Sequence, residues 1–203
     1  MAGSAPEDCV YIDLSGASSG IGEATAIKLA EHGATLFLVA LEEDKLQIVQ
    51  QKCKEKGLVE EKIGYCSGDL SQSAFREEIV KNLIQKFGRL DILADIAGSV
   101  LFANVCETKE EDYDRFVRVN QKAKFFLAQL CLPYLKQPKG LTRSSRCKSE
   151  CYQMADKFAN LAHLKRAGTP ADVVSLLLFL ASDEASYITG SINYIDGGYH
   201  LYP

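Results

Sequence analysis

Residues 15–22, reading SGASSGIG, constrain this chain's fold more than any other stretch. They follow a short apolar run, CVYIDL (9–14), and lead into a helical pattern that continues to His32. Gly16, Gly20 and Gly22 put small residues where a backbone must turn sharply or approach a ligand closely. The first N–H groups of the helix that follows have no intrahelical acceptor, and the helix dipole makes that end positive. A strand, a glycine turn and a helix start, in that order, form a cradle for a pyrophosphate. The same glycines would serve a tight turn without any ligand, but the strand and helix around them favour the cradle.

Strand-like and helix-like segments then alternate. TLFLVAL (35–41) is an apolar run of strand length, with Gly33 before it as a helix terminator. EEDKLQIVQQKCKEKG is amphipathic, with Leu46, Val49 and Cys53 on one face. KIGYCSGD (62–69) reads as a third strand and its exit. Ser71 or Ser73 is placed to cap the next helix, which runs to Phe87 and stops at Gly88. LDILADIAG (90–98) is a fourth strand ending in a glycine loop. A long helix is expected from Thr108, three residues before Glu111 as in a capping box, continuing towards Pro133. This alternation predicts an α/β fold, a Rossmann-like doubly wound parallel sheet with its ligand crevice at the strands' carboxyl ends.

After residue 136 the alternation fails. KQPKGLTRSSRCK (136–148) carries five basic residues and no acidic ones, and reads as neither strand nor helix. SECYQMADKFANLAHLKRAG is expected to form a helix ending at Gly168. TPADVVSLLLFLASD opens a clear one, with Thr169 as cap, Pro170 first and Asp172 near the positive end of the dipole. SINYIDGG (191–198) reads as a last strand. The expected organisation is one domain over 1–203: a dinucleotide-binding part at 9–136, an irregular junction at 137–149, and C-terminal helices with a last strand at 150–203.

A formal charge of −4 argues against a nucleic-acid partner, which calls for a basic face. Seven scattered cysteines without a CxxC pair, and three histidines, supply neither a zinc site nor a disulfide framework. The first ten residues lack the apolar core of a signal peptide, and no apolar run reaches membrane-spanning length. These features lead to an expected cytoplasmic protein with reduced thiols, no metal and no membrane association.

SGASSGIG resembles the TGxxxGIG cofactor loop of the short-chain dehydrogenase/reductase family, with Ser15 in place of threonine. Further segments follow in that family's order: GDL (68–70), GRLDILADIAG (88–98), VNQKAKFFLAQLCLPYLK (119–136), RAGTPADVVSLLLFLASDEASYITG (166–190) and INYIDGGY (192–199). The resemblance implies a nicotinamide dinucleotide held by Ser15, Gly16, Ser18, Ser19, Gly20, Ile21, Gly22, Asp69, Leu70, Ala97 and Gly98. It places Asn120 at the family's catalytic relay position and makes 119–136 the family's dimer helix.

The departures bear on function. Asp95 and Ile96 replace two asparagines of the family's fourth-strand loop. The family's catalytic Tyr-x-x-x-Lys is missing, since no tyrosine has lysine four residues on. That spacing puts an ammonium on the phenol's own helix face, where it lowers the phenol pKa. Tyr152 comes nearest, but Asp156 stands at the fourth position, and Lys157 lies about 140° round the helix. A rebuilt Ser145/Tyr152/Lys157 set is therefore disfavoured against polar residues in a junction. The pattern reads as loss of a strand–helix–strand block, which would expose an apolar edge beside the fourth strand or force SINYIDG to pair there.

Cofactor choice leans to NAD(H) over NADP(H). Ser19 and Leu41 stand where a 2′-phosphate would want a basic side chain, and Glu42, Glu43 and Asp44 add negative charge. These acids would also simply start the next helix. Three readings stay open. The first is a dinucleotide-binding but catalytically impaired family member, pairing as a homo- or hetero-oligomer with a full-length relative. The second is an active NAD(P)-dependent oxidoreductase on an alcohol or ketone. The third is a non-functional splice or decayed product.

Overall fold

The computed structural model describes residues 9–14, 16–101, 103–135, 141–144 and 159–201. Its centre is a five-stranded, all-parallel sheet: β1 Val10–Leu14, β2 Thr35–Ala40, β3 Ile63–Ser67, β4 Ile92–Asp95 and β5 Leu141–Ser144, in the order β3-β2-β1-β4-β5. Parallel neighbours need crossovers, which the helices supply. These are α1 Gly20–Glu31, α2 Glu43–Glu55, α3 Ser73–Phe87, α4 Glu110–Val117, α5 Lys124–Leu135 and α6 Pro170–Ala181.

β2 shows why both faces are covered. Its apolar run leaves no polar side for water, as expected of an interior parallel strand. Leu36, Leu38 and Ala40 pack into one core with Leu29 of α1 and Leu46 and Val49 of α2. Phe37 and Val39 enter the other, with Ile79 and Leu83 of α3 and Leu127 and Cys131 of α5. α6 completes the first layer by packing on α1. The strand order reverses between β1 and β4, which puts the topological switch point at their carboxyl ends.

Several local expectations are corrected. β5 lies inside the stretch expected to be irregular, at 137–149. Ladder bonds along the edge of β4 make a strand of four residues with weak strand character. The edge of β4 is therefore covered by β5, with Asp95 in register with Ser144, and not by SINYIDG. Residues 191–195 form no strand. Beyond them Asp196 accepts the N–H groups of Gly198 and His200 and turns the chain into a short 3-10 helix, Tyr199–Leu201.

α3 begins at Ser73 with Gln72 as its cap, so neither Ser71 nor Ser73 caps it. Gly88 ends it in the left-handed conformation (φ 72°). α4 begins at Glu110 after Lys109, because the Thr108 hydroxyl donates to the Asn104 carbonyl and stays outside the helix. The expected long helix is interrupted by a π-helical turn, Arg118–Ala123. Pro133 sits within α5. The helix expected to end at Gly168 stops at residue 161; its start lies outside the described residues.

Candidate functional site

An open cleft of about 210 Å³ lies at the carboxyl ends of β1 to β4. Of the expected cofactor-binding residues, Gly16, Ser18, Ser19, Ile21, Gly22, Asp69, Leu70, Ala97 and Gly98 line it. Gly20 opens α1 beside it without lining it, and Ser15 lies outside the described residues. Ala40, Leu41, Glu42, Gly68, Ile96 and Val119 complete the wall. All of these but Val119 sit at the exit of a strand, so the strand ends themselves were the signal for them.

The glycine turn folds back on the helix it opens. Ser19 N–H donates to the Gly16 carbonyl, and Ser19 caps α1 in an extended conformation without a side-chain cap bond. A Cβ at Gly22 would stand 2.2 Å from the Gly16 carbonyl oxygen, so only glycine allows this approach. The first turn of α1 is thereby brought to the cleft with no side chain between it and the turn.

The β3 wall is held by side chains. Asp69 accepts the Ser71 N–H at 2.8 Å and the Ser71 hydroxyl at 2.7 Å. Burial pushes its carboxyl up, but these bonds outweigh that and hold it below the usual carboxylate range. At the β2 end, the Ser18 hydroxyl donates to Glu42 at 3.3 Å, which ties the glycine turn to the cap of α2. Glu42 and Asp69 are acidic, and no basic side chain among the described residues lines the cleft.

Asn120 is buried in the π-helical turn. Its amide donates to the Phe116 carbonyl at 2.9 Å and to the Ser99 carbonyl at 3.0 Å, and its Oδ1 accepts the Ser99 N–H. These bonds fasten the loop after β4 to the helix whose Val119 lines the cleft. Close by, buried Asp95 lies 3.2 Å from Lys124 Nζ. That ammonium has no well-aligned hydrogen-bond acceptor among the described residues. Burial raises the Asp95 carboxyl above its ordinary value, and the Lys124 charge offsets this only in part. Ser145, Tyr152 and Lys157 lie outside the described residues.

A parallel sheet with a cleft at its switch point, opened by a glycine turn and a helix start, defines a dinucleotide-binding α/β protein. The chain matches the short chain dehydrogenase family model over residues 11–142, and the Enoyl-(Acyl carrier protein) reductase model over 141–200. It belongs to the short-chain dehydrogenase family, a family of dinucleotide-binding oxidoreductases. An uncharacterized oxidoreductase of Thermotoga maritima is 29% identical over 243 residues, covering 91% of this chain and 95% of the relative. The 3-oxoacyl-(acyl-carrier-protein) reductase of the same organism is 27% identical over 237 residues, with the same two coverages. In fold, the chain is similar to a short-chain dehydrogenase/reductase of unknown function from Caenorhabditis elegans, solved with cofactor. The TM-score is 0.86 at 18% identity, over 96% of both chains. No helix among the described residues is long and apolar enough to cross a membrane.

Proposed function

We propose that this chain binds NAD(H) in the cleft and that its hydride-transfer machinery is impaired. The close approach of Gly22 to the Gly16 carbonyl carries the binding half of this reading, because it builds a cradle that any Cβ would fill. Gly16, Ser18, Ser19, Ile21 and Gly22 would hold the pyrophosphate, with Gly20 shaping the turn and Ser15 leading into it. Asp69 and Leu70 would flank the adenosine, and Ala97 and Gly98 would border the dinucleotide on the β4 side. The bound nicotinamide supplies hydride donor or acceptor chemistry. The protein's own contribution is to hold and orient it.

Two observations support impairment. No tyrosine in the sequence has lysine four residues on, so the usual acid–base pair has no counterpart. The alignment to the Thermotoga oxidoreductase runs over 243 residues against 203 in this chain, so it includes positions where this chain has none. Both support an internally shortened family member with one domain over 1–203, in which Asn120 keeps a positioning role without the pair it would serve. The choice of NAD(H) rests on the acidic cleft, where Glu42 and Asp69 suit free ribose hydroxyls and no basic side chain among the described residues meets a 2′-phosphate. A cytoplasmic location and pairing with a second copy or a full-length relative belong to the same reading.

Calorimetric titration of NADH and then NADPH, followed by an absorbance assay with a 3-oxoacyl thioester and simple ketones, tests both halves. Saturable binding with NADH preferred, and no NADH oxidation, is the expected result. Turnover overturns impairment. An absence of binding to either cofactor overturns the cleft assignment.

A further inference from the structure

Arg76 lies near the start of α3 and is buried, a setting in which arginine ordinarily meets a carboxylate. Here its Nη1 donates to the Leu70 carbonyl at 2.6 Å. Its Nε has no hydrogen-bond partner among the described residues, and none of the salt bridges found there includes it. The guanidinium sits 5.9 Å from the centre of the Phe126 ring, on α5. The peptide that joins Leu70 to Ser71 is thus gripped from both sides: Arg76 takes its carbonyl and Asp69 takes its N–H at 2.8 Å. Leu70 and Asp69 both line the cleft, and Arg76 does not.

We infer that Arg76 is a positioning residue that sets the β3 wall of the cleft for adenosine, acting through the Leu70 carbonyl with Phe126 as its support. This rests on the proposed dinucleotide reading. A cation that serves only to fill the core would be better replaced by an apolar side chain. A cation bonded to one wall carbonyl and braced on an aromatic ring fixes a backbone orientation instead. Without it the segment 68–72 keeps the Asp69 turn and the packing of Leu70 but loses the bond that fixes the Leu70 carbonyl.

The test compares wild type with Arg76→Met and Arg76→Lys, using ADP-ribose, 5′-AMP and nicotinamide mononucleotide as probes. Hydrogen exchange at the Ser71 amide gives a ligand-free readout. Arg76→Met is expected to weaken the two adenosine ligands about tenfold, the scale of one charge-assisted hydrogen bond. Nicotinamide mononucleotide binding should stay unchanged, Ser71 exchange should quicken, and Arg76→Lys should recover part of the loss. Should Arg76→Met fail to fold, Phe126→Leu removes the support while keeping the bond; a selective loss for adenosine ligands is again expected. Equal weakening of all three probes, or none, overturns the inference. Failure of wild type to bind ADP-ribose overturns the dinucleotide reading itself.

Discussion

Adding one methyl group at Gly22 would put a carbon 2.2 Å from the Gly16 carbonyl oxygen, well inside contact distance. The turn or the helix start must then move. Gly22→Ala should lower stability by about 1–3 kcal/mol, the usual range for overpacking, and weaken NADH at least tenfold. Chemical denaturation and calorimetry check the two effects separately. Asp95 and Lys124 make a second prediction at this scale. Because the folded Asp95 carboxyl sits above its ordinary value, its proton is held more tightly in the folded state than in the unfolded chain. Its stabilising contribution is therefore full below the unfolded value near ~3.9 and is lost as pH rises through the folded value. Asp95→Asn keeps the uncharged form at every pH, so it should remove this pH dependence and be no less stable than wild type at neutral pH. The double variant Asp95→Asn/Lys124→Met should show the same flat profile. A pH series of melting temperatures reads both outcomes.

Among the elements, α6 is the most self-sufficient at its start. Asp172 accepts from the Thr169 N–H and hydroxyl and from both terminal nitrogens of Arg166, each at 2.8 Å. Thr169→Ala should cost about 1 kcal/mol. The Arg166 guanidinium, with the Thr169 bonds, holds the Asp172 carboxyl well below the usual carboxylate range. Its contribution is therefore present above the unfolded value near ~3.9 and fades as pH falls below it. Thermal melts of Asp172→Asn and wild type should converge under strongly acid conditions. This cap was legible in the sequence because every partner lies within six residues. β2, α1 and the glycine turn were legible for the same reason, as local patterns with one solution. β5 was not, because four residues reading LTRS become a strand only where β4 offers a ladder. The difference at 191–195 has the same cause: SINYI alternates as a strand does, but no neighbour among the described residues pairs with it. The π-helical turn was equally hidden; within it Asn120 bonds Ser99, 21 residues away, which no local pattern announces. Arg76 escaped notice because a lone arginine on a helix looks like surface until its burial is known.

At the scale of the whole molecule, the two cores on either side of the sheet differ from the C-terminal end in how fully they are covered. Ile192 is 81% exposed, Tyr194 64% and Leu201 64%, close together in the chain and with little apolar cover. Exposed apolar groups at this density favour association. Light scattering is expected to show a particle size that grows with concentration, and Ile192→Asp should reduce that growth. A monodisperse monomer at high concentration, melting sharply and reversibly, would contradict this. The outer edge of β5 carries a different implication. Among the described residues β5 pairs only with β4 and is the last strand of the sheet, close to where the two family models meet. That makes the seam after residue 144 a graft point for protein engineering. A strand–helix–strand unit spliced in there could dock on a ready-made template, and the same chain would become a host for testing which transplanted acid–base pairs restore catalysis.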